Sequence, residues 1–265
     1  MSPIKYGNPV KYGRLIGASL GPGDPEMITR RAWAALHSNA RWTYPVKKAE
    51  ENSYALDIVR RAGLEIPADA EALVFPMTRQ PEPLARAWAQ AAARTAAMLA
   101  EGRDVVFLVE GDASTYATFA HLARTVRALA PEAEIETIPG VSSFSAAAAH
   151  LGEPLAGEDD TLAVIPAAYG VDVINQLIDE FDTLVLLKVK PLLDEVIGLL
   201  EQRGLLGEAC LIEKVGSPQQ RVVTNVSTLR GEKVAYLSLM LVRNPGRARG
   251  ELQRGCRKKL VSEPS

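Results

Sequence analysis

Along most of the chain, short apolar runs alternate with longer segments in which apolar residues return every three or four positions. Continuous or alternating apolar runs belong to strands and the longer period to amphipathic helices. On that basis 15–20 is predicted to be a short buried strand. It is followed by the turn Gly21-Pro22-Gly23-Asp24 and an amphipathic helix that opens at Asp24-Pro25. Asp24 offers a capping oxygen, and Pro25 lacks an N–H where the first helical turn would leave it unbonded. A strand at 41–44, a helix over 52–61, a short strand at 72–75 and an alanine-rich helix over 83–100 come next. The run 104–112 (DVVFLVEGD) is an apolar strand that ends in a glycine turn. A helix over 115–129 follows, with Tyr116, Phe119, Leu122 and Val126 spaced for one face. The segment 133–140 is a strand stopped by Pro139-Gly140, and Ser142 is placed to cap the helix after it. The polar stretch 151–160 reads as a linker. Beyond it TLAVIPA, DTLVLLKV and EACLIEKV are strands between helical segments, and 219–229 and 233–242 read as antiparallel strands with Asn225 as a turn residue. The pattern predicts two α/β domains, 11–138 and 155–243, followed by a basic, poorly ordered tail over 244–265.

Composition narrows the classes. A chain of 265 residues with 47% hydrophobic residues can bury a sizeable core. A net charge of −2 argues against a general nucleic-acid binder. Cys210 and Cys256 form neither a disulfide framework nor a zinc motif, and a reducing cytoplasm fits them. No apolar run approaches the ~18 residues that cross a membrane, and no apolar signal core opens the chain. No metal-ligand set is recognised. His37, His121 and His150 lie in predicted helices and read as structural or surface residues.

The candidate chemistry sits at three glycine turns, each at the carboxyl end of an apolar strand: GPGD at 21–24, VEGDASTY at 109–116 and IPGVSSFSAAAA at 138–149. Open α/β sheets bind ligands at those strand ends. The first turn is not a dinucleotide fingerprint, because Glu26 stands where the third glycine belongs, and the chain has no G-K-[ST] triplet. Asp24 and Glu26 would repel a polyanion, so a ligand here is neutral or cationic nearby. Each residue also has a plainer reading. Gly111 and Gly140 can serve turn geometry alone, and Asp112 and Ser142 can be helix caps. Lys188 either marks the end of its strand or faces an anion.

In order and wording the three turns resemble those of the tetrapyrrole methylases, a family that uses S-adenosylmethionine; the resemblance covers about 13–243. Within the family, YPVKKAEENSYALDIV (44–59), VEGDASTYATF and IPGVSSFSAAAAHLGEPLA look like the branch that methylates the C(20) meso carbon of precorrin-2 or its cobalt-bearing counterpart. The resemblance implies a donor cleft between two α/β domains, a homodimer and a small tetrapyrrole as substrate, with S-adenosylhomocysteine as product. It implies that Pro22, Glu110, Gly111, Asp112, Thr115, Ser142, Ser143, Leu187, Lys188, Val215 and Leu237 line the donor site. Two departures stand out: Ser19 occupies a position where a glycine is usual, and Ala113 one where a proline is usual.

The expected reaction is an in-line displacement followed by loss of a proton from the meso carbon. Glu110 and Tyr116, flanking the second turn, are the candidate bases, although the spacing of Tyr116 also suits a core position. Lys47, Lys48 and Arg79 are candidates for the acceptor's carboxylates, and each also suits a solvated face. Rival readings are another acceptor of the same family (uroporphyrinogen, another corrin position, a diphthamide precursor or an RNA ribose) or a silent nucleoside-binding regulator.

Overall fold

The structure is a computed structural model that describes residues 11–48, 51–78 and 80–248. Its first sheet has five strands: β1 (Leu15–Ser19), β2 (Arg41–Val46), β3 (Glu71–Val74), β4 (Val105–Val109) and β5 (Ile135–Ile138), in the order β3-β2-β4-β1-β5. All four neighbouring pairs are parallel. Strands β1 and β4 are buried throughout, as a parallel sheet covered on both faces requires.

The two-residue period of these strands divides the core. Leu15, Val105, Phe107 and Val109 face one way, into a cluster with Met98 and Leu99 of α3 (Pro81–Ala100) and Phe119, Leu122 and Val126 of α4 (Thr118–Leu129). Ile16, Ala18, Leu20, Val106 and Leu108 face the other way. They pack with Ala32 and Leu36 of α1 (Arg30–Leu36) and with Ala55, Leu56, Ile58 and Val59 of α2 (Tyr54–Arg61). A fifth helix, α5 (Ser143–Leu151), follows β5. The sheet is therefore doubly wound about β4 and β1.

A second five-stranded sheet contains β6 (Leu162–Pro166), β7 (Thr183–Leu187), β8 (Ala209–Glu213), β9 (Arg221–Val223) and β10 (Ser238–Arg243), in the order β6-β7-β10-β8-β9; β6 and β7 are parallel. The accompanying helices are α6 (Val171–Glu180) and α7 (Leu193–Gln202). Helix α7 buries Leu193, Val196, Ile197 and Leu200 along one stripe.

The chain forms two compact units. The first runs to Pro154 and includes Ile212–Val222 and Val234–Leu239; the second comprises Leu155–Leu211, Val223–Lys233 and the chain from Met240 on. Spatial contact, not order along the chain, puts the two late segments in the first unit. No helix among the described residues is long and apolar enough to cross a membrane.

Three local expectations are corrected. Asp24 and Pro25 open only a 3-10 turn, Pro25–Met27, because Ile28 is extended, and α1 starts afresh at Arg30 with Thr29 as its cap. Helix α4 begins at Thr118 instead of 115: Tyr116 has a positive φ of 51° and is 52% exposed, so it is not a core residue. Strands β9 and β10 are not neighbours, since β8 lies between them, and Asn225 begins a 3-10 turn over Val226–Leu229.

Candidate active site

Adjacency of β4, β1 and β5 brings the three glycine turns side by side at the carboxyl edge of the first sheet. Gly21 and Gly111 exchange both backbone hydrogen bonds, at 3.2 and 2.8 Å. The Ser19 hydroxyl, fully buried, donates to the Ile138 carbonyl at 2.5 Å and accepts from the Ala113 N–H at 2.8 Å, so it joins the first turn to both others. Gly140 lies against that hydroxyl: a Cβ there would be 2.3 Å from Ser19 Cβ and 3.0 Å from the Gly111 oxygen. The two departures from the family pattern thus bond to each other.

Asp112 completes the cross-linking. Its carboxylate accepts from the Ser114 N–H (3.0 Å), the Ser114 hydroxyl (2.7 Å), the Thr115 hydroxyl (2.9 Å) and the Gly140 N–H (3.2 Å). Burial works against its charge, but the bonds from Ser114, Thr115 and Gly140 outweigh it and hold the carboxyl below its ordinary range. Asp112 is therefore an anion fixed in the turn, with Thr115 as one of its holders. Ser142 caps α5, accepting from the Ser145 N–H at 3.2 Å, and Ser143 is the helix's first residue.

Glu110 is the other carboxylate of the second turn. Burial raises its pKa to about 7, against the opposing effects of the Lys47 ammonium and the Ala55 N–H. Ala55 lies in the first turn of α2, where unpaired N–H groups favour an anion. Beside it, the Tyr54 hydroxyl donates to the Pro22 carbonyl at 3.1 Å, and Arg61 donates to the Gly23 carbonyl at 2.7 Å. Burial raises Tyr54, a bond from Ser217 opposes this, and Glu110 raises it further. Tyr236 is raised by burial and then by Glu110. Lys47 Nζ lies 5.3 Å from the centroid of the Tyr236 ring and 3.8 Å from Glu51.

The first unit thus gathers Pro22, Glu110, Gly111, Asp112, Thr115, Ser142 and Ser143; Lys47 belongs to it too, paired with Glu51 and lying over the Tyr236 ring. Val215 is buried and its carbonyl would lie 2.6 Å from a Cβ on Gly23, so it approaches the first turn. The Leu237 carbonyl accepts from the Lys214 N–H at 2.7 Å. Leu187 and Lys188 belong to the second unit; Leu187 ends β7, and Lys188, at φ 55°, is exposed beyond it. Lys48 is exposed, and Arg79 lies outside the described residues, as does the tail from 249 on. Among the described residues no cluster of His, Cys, Asp or Glu is placed to hold a metal ion. Tyr54, Tyr236 and Ser217 were missed in the sequence. For Tyr54 a signal existed, a tyrosine directly after the capping Ser53. Tyr236 and Ser217 reach the site through segments remote in the chain.

A doubly wound sheet whose first two glycine turns carry carboxylates, Asp24, Glu110 and Asp112, in place of phosphate-binding groups defines a class distinct from the dinucleotide-binding folds. Residues 14–230 match the tetrapyrrole (corrin/porphyrin) methylases, and the chain belongs to that family. It is 32% identical over 231 residues to the cobalt-precorrin-2 C(20)-methyltransferase of Salmonella typhimurium, covering 87% of this chain and 96% of that one. To the precorrin-2 C(20)-methyltransferase of Sinorhizobium sp it is 30% identical over 244 residues, covering 88% and 96%. A solved uroporphyrin-III C-methyl transferase from Thermus thermophilus, complexed with S-adenyl homocysteine, shares the fold with a TM-score of 0.59 at 21% identity, over 87% of this chain and 97% of that one.

Proposed function

We propose that the protein transfers a methyl group from S-adenosylmethionine to the C(20) meso carbon of precorrin-2 in cobalamin biosynthesis, giving precorrin-3A. The observation that carries this reading is the convergence of three cross-linked turns that present Glu110 and Asp112 at one sheet edge. Family membership and the names of the two relatives support it. The cobalt-bearing acceptor is the second reading, since one relative's name specifies cobalt and the other's does not.

The turns suit such a donor: the Asp112 carboxylate is held ionised where a cationic group is to be bound, and no lysine follows the glycines of the first turn as a phosphate would require. S-adenosylmethionine supplies an electrophilic methyl group on a sulfonium. Pro22, Gly111, Asp112, Thr115, Ser142, Ser143, Val215 and Leu237, with Leu187 and Lys188, are assigned to bind and orient it, which is the main catalytic contribution in an in-line displacement. Glu110 takes the proton that the meso carbon loses; with a pKa of about 7 it is available both as base and as conjugate acid near neutral pH. Tyr116, exposed beside the same turn, is the alternative base. Lys47, Lys48 and Arg79 are assigned to the acceptor's carboxylates. We assign it to a reducing cytoplasm from its two cysteines and, by resemblance, to a homodimer.

The test is mass spectrometry of the products when metal-free precorrin-2 and its cobalt complex are offered side by side with the donor. Addition of one methyl group at C(20) to either acceptor is the expected result, and the preferred acceptor decides between the two readings. Donor binding without turnover of either one would refute the precorrin-2 reading and leave another acceptor of the family or a nucleoside-binding regulator.

A further inference from the structure

Helix α2 does more than cover the first sheet. Its apolar face, Ala55, Leu56, Ile58 and Val59, packs with β1 and β4. Tyr54, Asp57 and Arg61 follow one another at three and four residues along the neighbouring stripe, so they share a side of the helix. Two of the three reach the first glycine turn. The Tyr54 hydroxyl donates to the Pro22 carbonyl at 3.1 Å, and the Arg61 guanidinium donates to the Gly23 carbonyl at 2.7 Å. Asp57 in turn holds Arg61, accepting from its Nε at 2.9 Å. The helix is itself tied to the sheet, since the capping Ser53 donates to the Pro45 carbonyl at 3.3 Å.

The two carbonyls belong to successive peptide units. In a planar trans peptide the N–H points opposite to the C=O. Holding both carbonyls toward α2 therefore turns the Gly23 and Asp24 N–H groups away from it. Gly23 sits between the two units and, without a Cβ, would let either rotate. Its flanks are closed: a Cβ there would lie 2.6 Å from the Val215 oxygen, 2.8 Å from the Tyr54 hydroxyl and 2.9 Å from the Ser217 nitrogen. Bonds to Gly111 fix the start of the turn at Gly21, and the Asp24 side chain caps the 3-10 turn at its end. Tyr54 and Arg61 govern the middle. An Arg61–Asp57 pair with side chains 24% and 54% exposed adds little to stability, so its geometry bears on the turn and not on the fold.

We propose that Tyr54 and Arg61 are positioning residues for the methyl donor: from α2 they hold the two central peptide units of the first glycine turn in the orientation that the donor binds, with Asp57 setting the Arg61 guanidinium. The proposal rests on the reading of this turn as part of the donor site. None of the three side chains has to touch the donor. Without the clamp, binding must also order the turn, and that penalty falls on the affinity for the donor and not on that for the acceptor.

The experiment uses the full chain, with S-adenosylhomocysteine as the probe, calorimetric titration and amide 1H–15N spectra. In the wild type, saturation with the probe shifts the Gly23 and Asp24 amide signals. Tyr54→Phe, which keeps the ring, and Arg61→Met, which keeps most of the stem, each weaken probe binding about three- to tenfold. The donor KM rises with it, and the acceptor KM stays within about twofold. Asp57→Ala removes no bond to the turn; it weakens probe binding by less, and adds little once Arg61 is Met, because it acts through that residue. Urea denaturation of each variant reports on its fold. Wild-type affinity in both Tyr54→Phe and Arg61→Met, with the amide shifts present in the wild type, overturns the proposal. Lower stability without lower affinity overturns it as well, by making the clamp a prop of the fold alone, and so does an equal rise in the donor and acceptor KM. Gly23 and Asp24 amides that stay unmoved in the saturated wild type sink instead the reading of the turn as part of the donor site.

Discussion

At the end of β1 one hydroxyl serves two backbone partners on neighbouring turns. The Ser19 side chain gives its proton to the Ile138 carbonyl and receives that of Ala113, and it is closed off from water. An unbonded buried polar group loses its solvation without compensation. Ser19→Ala leaves two such groups, one on each neighbouring turn. It is expected to lower unfolding stability by about 1–3 kcal/mol and to weaken donor binding, read by urea denaturation and by calorimetric titration with S-adenosylhomocysteine. A variant as stable as wild type with unchanged affinity would mean that the turns hold their places without this link. From the sequence, Ser19 looked like a blemish in a glycine-rich turn. Its partners were hidden because both are backbone groups far away in the chain, one at the end of β5 and one in the turn after β4.

At the scale of elements, three strand ends must come within a hydrogen bond of one another, and small residues permit it. Gly140 and Gly111 test this for different reasons. At Gly140 the obstacle is space, since a Cβ would lie 2.3 Å from Ser19 Cβ, which is not the movable end of a long side chain. At Gly111 nothing lies within 4 Å, and the only obstacle is the φ of 75°. Gly140→Ala is therefore expected to cost about 2–4 kcal/mol by forcing β1 and β5 apart, against about 1–2 kcal/mol for Gly111→Ala, compared by denaturant midpoints. The reverse ranking would refute the close approach. The strands of the first sheet were legible because a parallel sheet covered on both faces leaves unbroken apolar runs, as in VVFLV of β4. Their turns were legible because glycine and proline punctuate them. The beginnings of α1 and α4 were not. Asp24-Pro25 carries every local mark of a helix start, yet the chain extends again at Ile28. Tyr116 keeps helical spacing with Phe119 and Leu122 but takes a left-handed turn before the helix begins. Tyr236 could not be read at all: its ring meets the Lys47 ammonium from a segment more than a hundred residues later, and spacing along the chain carries no trace of such a meeting.

At the scale of the whole molecule, stability against pH reflects carboxyls shifted in opposite directions, Asp182 and Glu110 among them. Asp182 is buried at the start of β7. Burial penalises its charge, but Arg247 at 3.0 Å and Thr161 at 2.8 Å more than compensate and depress its pKa below the ordinary 3.8. Its contribution is present above that value and is lost as pH falls toward the folded pKa. Glu110 is raised from 4.5 to about 7. The folded state therefore holds on to a proton that the unfolded chain has released, and the stability associated with it, complete below 4.5, is lost as pH rises through 7. Glu110→Gln removes the second dependence and leaves the first. It is expected to match wild type near pH 4 and to exceed it by about 1–3 kcal/mol at pH 8, while losing methyl transfer. Asp182→Asn is expected to behave in the opposite sense: it is destabilised at pH 7, where Arg247 is left without its charged partner, and its deficit narrows as the wild-type carboxyl becomes protonated in acid. Urea denaturation of the three proteins at pH 2, 4, 6 and 8 reads both effects, that of Asp182 below pH 4 and that of Glu110 above it. A Glu110→Gln curve parallel to wild type from pH 4 to 8 would show that Glu110 titrates as an ordinary surface carboxylate. The stability given up at neutral pH to keep Glu110 poised for proton transfer is what this site would be expected to forgo for function.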